Sequence, residues 1–160
     1  MITRANQTLD IFELADTMQF GDIHIKNDAK SGLKAIIAIH NTSLGPALGG
    51  CRCVAYQSNN AAIIDAMRLA QGMSYKAAIA DVPHGGGKSV LIKPNVIHNR
   101  EAMFESFGDF VETLGGRYIT AVDSGSSVSD MDVIARKTKH VVSISKQAGG
   151  KGDPSAYTAL

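Results

Sequence analysis

The chain has 160 residues, 44% of them hydrophobic and 19% charged, with 16 glycines, no tryptophan and a formal net charge of +1. That is enough chain for one compact domain of ordinary apolar content, which excludes a disordered or fibrous protein. Sixteen basic residues against fifteen acidic ones leave no electrostatic excess for a phosphate backbone or an anionic membrane, so neither nucleic acid nor a membrane is an expected partner.

The most apolar stretch, Leu33 to Ile39, is broken by Lys34 and falls far short of the roughly 20 residues a spanning helix needs. Met1 to Asp10 is mixed and polar, without the basic stub and apolar run of a secretory signal. Cys51 and Cys53 are the only cysteines. They are too few for a disulfide framework and supply half of a thiolate zinc site, so the expectation is two reduced thiols, no metal and a cytoplasmic protein.

In chain order, Ile11 to Phe20 reads as a short helix, because Ile11, Leu14, Ala15 and Met18 form one apolar stripe, and Gly21 stops it. Ile23 and Ile25 alternate with polar neighbours, and Leu33 to His40 follows the turn residues Lys30-Ser31-Gly32, so both segments read as strands. Asn41 to Gly50 is rich in turn residues and reads as a loop, with Cys51 to Tyr56 returning to a sheet. Asn59 or Asn60 is the expected cap of a helix that buries Ile63, Met67 and Ala70 and ends near Gly72 or slightly beyond.

Pro83 to Gly87 reads as a glycine-rich loop before an aliphatic strand, Ser89 to Ile92. Phe104, Phe107, Val111 and Leu114 form the clearest amphipathic helix, closed by Gly115-Gly116. Arg117 to Val122 reads as a strand, Ser127 or Ser129 caps a helix holding Met131 and Ile134, and Val141 to Ser145 is a last short strand. Alternating helices and strands predict an α/β fold, a mixed sheet covered by helices. Residues 1–150 are expected to form one domain. Residues 151–160 read as the start of a connection, because Thr158-Ala159-Leu160 opens a helix without a closing signal.

Gly85-Gly86-Gly87-Lys88-Ser89 suggests a phosphate-cradling loop, but Val82 stands where that pattern needs its first glycine, and strand rather than helix follows Lys88. The other use of three glycines is to let a small ligand lie against bare backbone with Lys88 projecting beside it. Lys76 lies twelve residues earlier and Asp123 closes a predicted strand, at the end where α/β folds place their sites. Each alone reads as a surface charge. Together, two lysines and an aspartate around a glycine-lined cleft suit an anionic ligand and proton transfer.

The blocks Ser31 to Ala35, Gly45 to Gly50, Gly72 to Lys76, Gly85 to Lys88, Gly116 to Ala121 with Asp123, and Gly152 to Ser155 resemble, in order and spacing, the leucine and valine dehydrogenases of the glutamate/leucine/phenylalanine/valine dehydrogenase family. The resemblance covers nearly the whole chain. It implies the N-terminal, substrate-binding and oligomerising domain of an enzyme that oxidatively deaminates a branched-chain L-amino acid to its 2-oxo acid and ammonia. It also implies a homo-oligomer, and NAD as cofactor, bound mainly by a C-terminal domain absent from these residues, since no G-x-G-x-x-G fingerprint occurs in them.

By the same resemblance, Lys76 grips the substrate carboxylate, Lys88 activates the water that attacks the imino acid, and Asp123 exchanges a proton with the amine. A free lysine has a pKa near ~10.4, so Lys88 works as a base near neutrality only where a second cation and a dry pocket lower it, while Asp123 pulls the other way. Leu48 stands where the glutamate enzymes carry a lysine for the distal carboxylate, so an apolar substrate is implied, with Gly49, Gly50 and Met73 lining the same pocket. Met73 is equally readable as ordinary core. Val122, Cys51 and Val142 depart from the residues usual in leucine dehydrogenases. An aromatic amino acid dehydrogenase and a non-catalytic oligomerisation or amino-acid-binding module stay open as alternatives.

Overall fold

The computed structural model describes residues 9–154. The expected helix opening at Thr158 to Leu160 lies outside them. The elements are α1 (Ile11–Met18), β1 (Asp22–Asp28), β2 (Leu33–Asn41), β3 (Ala47–Val54), α2 (Asn59–Ile79), β4 (Gly85–Ile92), α3 (Arg100–Glu112), β5 (Tyr118–Val122) and α4 (Val128–Ala135). The strands form one mixed sheet in the order β1-β2-β4-β3-β5. β1 and β4 run antiparallel to β2, and β3 runs parallel to both β4 and β5.

The sheet is covered on both faces, and its interior strand β2 is correspondingly apolar in both phases of the strand repeat. Leu33, Ala35, Ile37 and Ile39 pack with Phe104, Phe107, Val111, Met131 and Ile134 of α3 and α4. Ile36 and Ala38 face the other way, onto Ala62, Ala66, Met67 and Ala70 of α2, with Leu14, Ala15 and Met18 of α1 beside them. The expected mixed sheet covered by helices is the observed fold. Cys51 and Cys53 are free and buried in the layer under α3 and α4.

Four boundaries differ from the sequence reading, and tertiary packing accounts for the starts of β3 and β4 and the length of α2. β3 begins at Ala47 and β4 at Gly85, inside segments expected to be loops. Their glycines are strand residues at points of close approach: a Cβ on Gly49 would lie 1.7 Å from the Gly87 carbonyl oxygen, and one on Gly86 would lie 2.2 Å from the Ser74 amide nitrogen. α2 is capped by Ser58 and runs through Gly72 to Ile79, since an interior glycine costs only about 1 kcal/mol and the packing of α2 on β2 and β4 outweighs it. Val141 makes only an isolated parallel bridge to Thr120.

α4 is tied down by Asp130, which accepts from the Ser127 amide at 2.8 Å and from Arg100 Nε and Nη2 at 2.9 and 2.7 Å. Burial alone would raise the Asp130 carboxyl, but its bonds to Arg100 and Ser127 outweigh burial and hold it below the ordinary carboxylate value. A depressed folded-state value means stability that is present above about pH 4 and lost as pH falls through that lower value. Asp130→Asn is therefore expected to cost about 2 kcal/mol at pH 7, for the lost charged hydrogen bonds, and progressively less below pH 4. Urea denaturation at both ends of that range checks it, and a pH-independent cost would contradict the ionic assignment.

Candidate active site

Side chains alternate across a strand, and the β3–β4–β5 register places Leu48, Gly50 and Arg52, Lys88, and Ala121 and Asp123 on one face of the sheet. This is the face on which α2 lies, chiefly over β2 and β4. Leu48 is opposite Gly86 on one side and Ile119 on the other, and Gly50 is opposite Ala121.

Lys88 and Asp123 are brought together. Lys88 is 6% exposed, and its Nζ lies 2.6 Å from Asp123 Oδ2. The space for this contact exists because residue 50 is glycine: a Cβ there would meet Asp123 Cβ at 2.6 Å and Lys88 Nζ at 3.2 Å. Burial by itself would raise the Asp123 carboxyl. The hydrogen bond and charge of Lys88, with the charge of Arg52 behind them, outweigh burial and hold it below the ordinary value. Asp123 is thus a carboxylate at neutral pH, with the Lys88 side chain held against it in a sheltered place.

Leu48 and Ala121 form one wall of a groove of about 620 Å³ whose other walls come from Val141 to Ile144 and Gly150 to Pro154. Its lining is mainly aliphatic side chain and backbone, so it suits an apolar group. Gly49 is enclosed instead: its carbonyl accepts from the buried Tyr118 hydroxyl at 2.8 Å. Met73 is half-buried and Lys76 exposed, both inside α2 rather than beyond it. They flank Ser74, which packs on Gly86, and neither lines the groove at Leu48.

Sequence reasoning missed Arg52. Its Nε donates to Asp123 Oδ2 at 3.2 Å and its Nη1 to Asp65 Oδ2 at 3.2 Å, and Tyr56 donates to that same Asp65 oxygen at 2.6 Å. The signal was available. Had Ala47 to Val54 been read as a strand, the period of two would have put Arg52 on the face of Gly50. Among the described residues, no group of three or more His, Cys, Asp or Glu side chains could hold a metal, and no helix is long and apolar enough to cross a membrane.

Fold and site together define the class: an α/β domain whose sheet carries a sheltered lysine–aspartate pair beside an apolar groove. The model of the Glu/Leu/Phe/Val dehydrogenase dimerisation domain matches residues 17–140, and the chain belongs to that family. It is 48% identical over 151 residues to a leucine dehydrogenase of Geobacillus stearothermophilus, covering 94% of this chain and 41% of that one. It is 51% identical over 134 residues to a valine dehydrogenase of Streptomyces coelicolor, covering 83% and 36%. The crystal structure of L-tryptophan dehydrogenase from Nostoc punctiforme superposes with a TM-score of 0.78 at 40% identity, over 82% of this chain and 39% of that one. The chain thus spans about two fifths of the length of these relatives.

Proposed function

We propose that this chain is the substrate domain of an amino acid dehydrogenase that converts a branched-chain L-amino acid and water to the 2-oxo acid and ammonia. The observation that carries the reading is the 2.6 Å Lys88–Asp123 pair on the face of the sheet that also bears Leu48 and its apolar groove. The relatives named leucine and valine dehydrogenases support it. NAD, when bound, would supply the two-electron oxidant that this conversion needs. Gly85 to Gly87 lie within a strand that no helix N-terminus immediately follows, so they do not form a dinucleotide-phosphate loop, and in this reading NAD is held mainly elsewhere in the enzyme.

In this reading the exposed Lys76 ammonium pairs with the substrate carboxylate. The Asp123 carboxylate takes a proton from the substrate ammonium, leaving the nitrogen lone pair free for carbon–nitrogen double-bond formation. Lys88 acts in its neutral amine form, after its ammonium proton has left to solvent, and takes a proton from the water that adds to the imino carbon. Leu48 and Ala121 receive the side chain, and Gly50, by lacking a Cβ, lets Lys88 and Asp123 meet beside them. The enzyme works as a homo-oligomer in the cytoplasm, in keeping with the dimerisation-domain match.

Assaying NAD reduction with leucine, valine, phenylalanine, tryptophan and glutamate tests this reading. Leucine or valine should give the highest kcat/KM. Preference for tryptophan or phenylalanine would favour the aromatic reading, which the breadth of the groove and the likeness to the tryptophan enzyme support. No turnover with any of the five would favour a non-catalytic module.

Leu48→Lys should lower kcat/KM for leucine relative to glutamate. It removes apolar contact worth about 25 cal/mol per Å² and supplies a counter-charge for a distal carboxylate that is otherwise unpaired. A change in the ratio of under about twofold, less than the ~1 kcal/mol of the smallest pocket change, would mean that Leu48 does not meet the side chain.

A further inference from the structure

Asp123 Oδ2 is engaged by two cations, Lys88 Nζ at 2.6 Å and Arg52 Nε at 3.2 Å. Lys88 alone would neutralise the carboxylate, so burial does not require the second cation. Arg52 in turn spans from Asp123 to Asp65, and Tyr56 holds Asp65 from the far side. The four side chains come from β3, the loop after it, α2 and the end of β5. Arg52, Asp65 and Asp123 are each at most about one-third exposed, at 26, 32 and 23%, so their mutual charges are only partly screened.

We propose that Arg52 is a positioning residue for the deamination, holding the Asp123 carboxylate in place through Oδ2, with Asp65 setting how much of the guanidinium charge Asp123 receives. This rests on the reading of Asp123 as the group that exchanges a proton with the amine. The chemical reason is that Lys88 and Asp123 both handle protons. Whenever Lys88 gives up its proton, Asp123 loses its nearest counter-charge. A guanidinium does not deprotonate in this range, so Arg52 keeps one cation on the carboxylate throughout. Its planar fork, pinned at Nη1 by Asp65, also fixes the direction from which Nε meets Asp123.

The charged groups facing Asp123 are Lys88 from β4 and Arg52 from β3, with Asp65 of α2 beyond Arg52. Cys51 and Tyr118, within electrostatic reach of Asp123, are pushed up by burial and stay neutral at ordinary pH. The titration of Asp123 therefore reports on the two cations and on Asp65.

The test is a carbon-13 carboxyl NMR titration of Asp123 in this chain, with amide spectra confirming the fold, followed by kinetics of the enzyme. Arg52→Gln should raise the Asp123 midpoint by about one pH unit, because a facing cation is lost. Asp65→Asn should lower it, because an anion competing for Arg52 is removed. In the enzyme, Arg52→Gln should cut kcat about 10- to 100-fold with KM for the amino acid little changed, and Arg52→Lys should recover part of that loss.

If Arg52→Gln does not fold, the downward shift in Asp65→Asn decides the first arm. Midpoints that do not move, or that move the same way in both variants, overturn the proposal, as does a loss confined to KM. A wild-type enzyme that deaminates no amino acid overturns the functional reading instead, and the titration still judges the Arg52–Asp123 coupling.

Discussion

Lys88→Ala is expected to lower turnover of the enzyme that carries this chain by ~100-fold or more, the usual range for losing a general acid–base group. Lys76→Ala should act on binding instead. The structure supplies the contrast between two residues of the same type. Lys88 is 6% exposed and locked to Asp123 at 2.6 Å, sheltered from bulk water. Lys76 is exposed on α2, free to pair with a carboxylate that arrives from solvent. Losing one charged hydrogen bond, worth about 1.5–3 kcal/mol, should raise KM roughly 10- to 100-fold with kcat little changed.

Lys88→Ala should remain folded, because Asp123 keeps Arg52 at 3.2 Å and is not left as an unpaired buried charge. Asp123→Asn should resemble Lys88→Ala in kinetics. Steady-state parameters and thermal melts of the three variants decide the assignment. If all three raise KM by the same factor and leave kcat alone, neither Lys88 nor Asp123 handles protons.

Gly86→Ala should destabilise the chain by more than the ~1–3 kcal/mol usual for overpacking. The added Cβ would lie 2.1 Å from Ser74 Oγ, 2.2 Å from the Ser74 amide nitrogen and 2.4 Å from the Ala70 carbonyl oxygen. Two of these three are backbone atoms, so no rotamer change relieves the clash, and α2 has to lift from the sheet. Because α2 carries Met73 and Lys76, any protein that still folds should also bind substrate poorly. Gly72→Ala is the matched control in the same helix. It meets nothing within 4 Å and should stabilise by roughly 0.5–1 kcal/mol, as glycine-to-alanine changes do in a helix interior. Denaturant melts of the two variants test the pair, and similar effects in both would refute the close approach of α2 to β4.

The layers of this protein follow from local sequence alone. A strand apolar in both phases, Leu33 to Ile39, belongs in the interior of a sheet covered on both faces, and the stripe Phe104, Phe107, Val111 can only face a core. The order of helices and strands therefore defines an α/β fold before any contact is known. The pairing of Lys88 with Asp123 was suggested by residue type and spacing, since both stand on strands or strand ends that a parallel sheet lines up.

Tertiary structure decided what the glycines do. Gly49, Gly50, Gly85, Gly86 and Gly87 look like turn residues from their neighbours, yet all lie in strands. The atoms that exclude a side chain at these positions belong to Gly87, Asp123, Asn41, Ser74 and Tyr118, most of them remote in sequence, so no local pattern reports them. Misreading the start of β3 also hid Arg52, because the face a strand residue occupies is known only once the strand's extent is known. The hold of Arg52 on both Asp123 and Asp65, residues 71 and 13 positions away, exists only in the folded sheet. Only folding lays β3 beside β5 and brings Asp65 of α2 within reach of Arg52, and only that proximity makes three separate surface charges into one network.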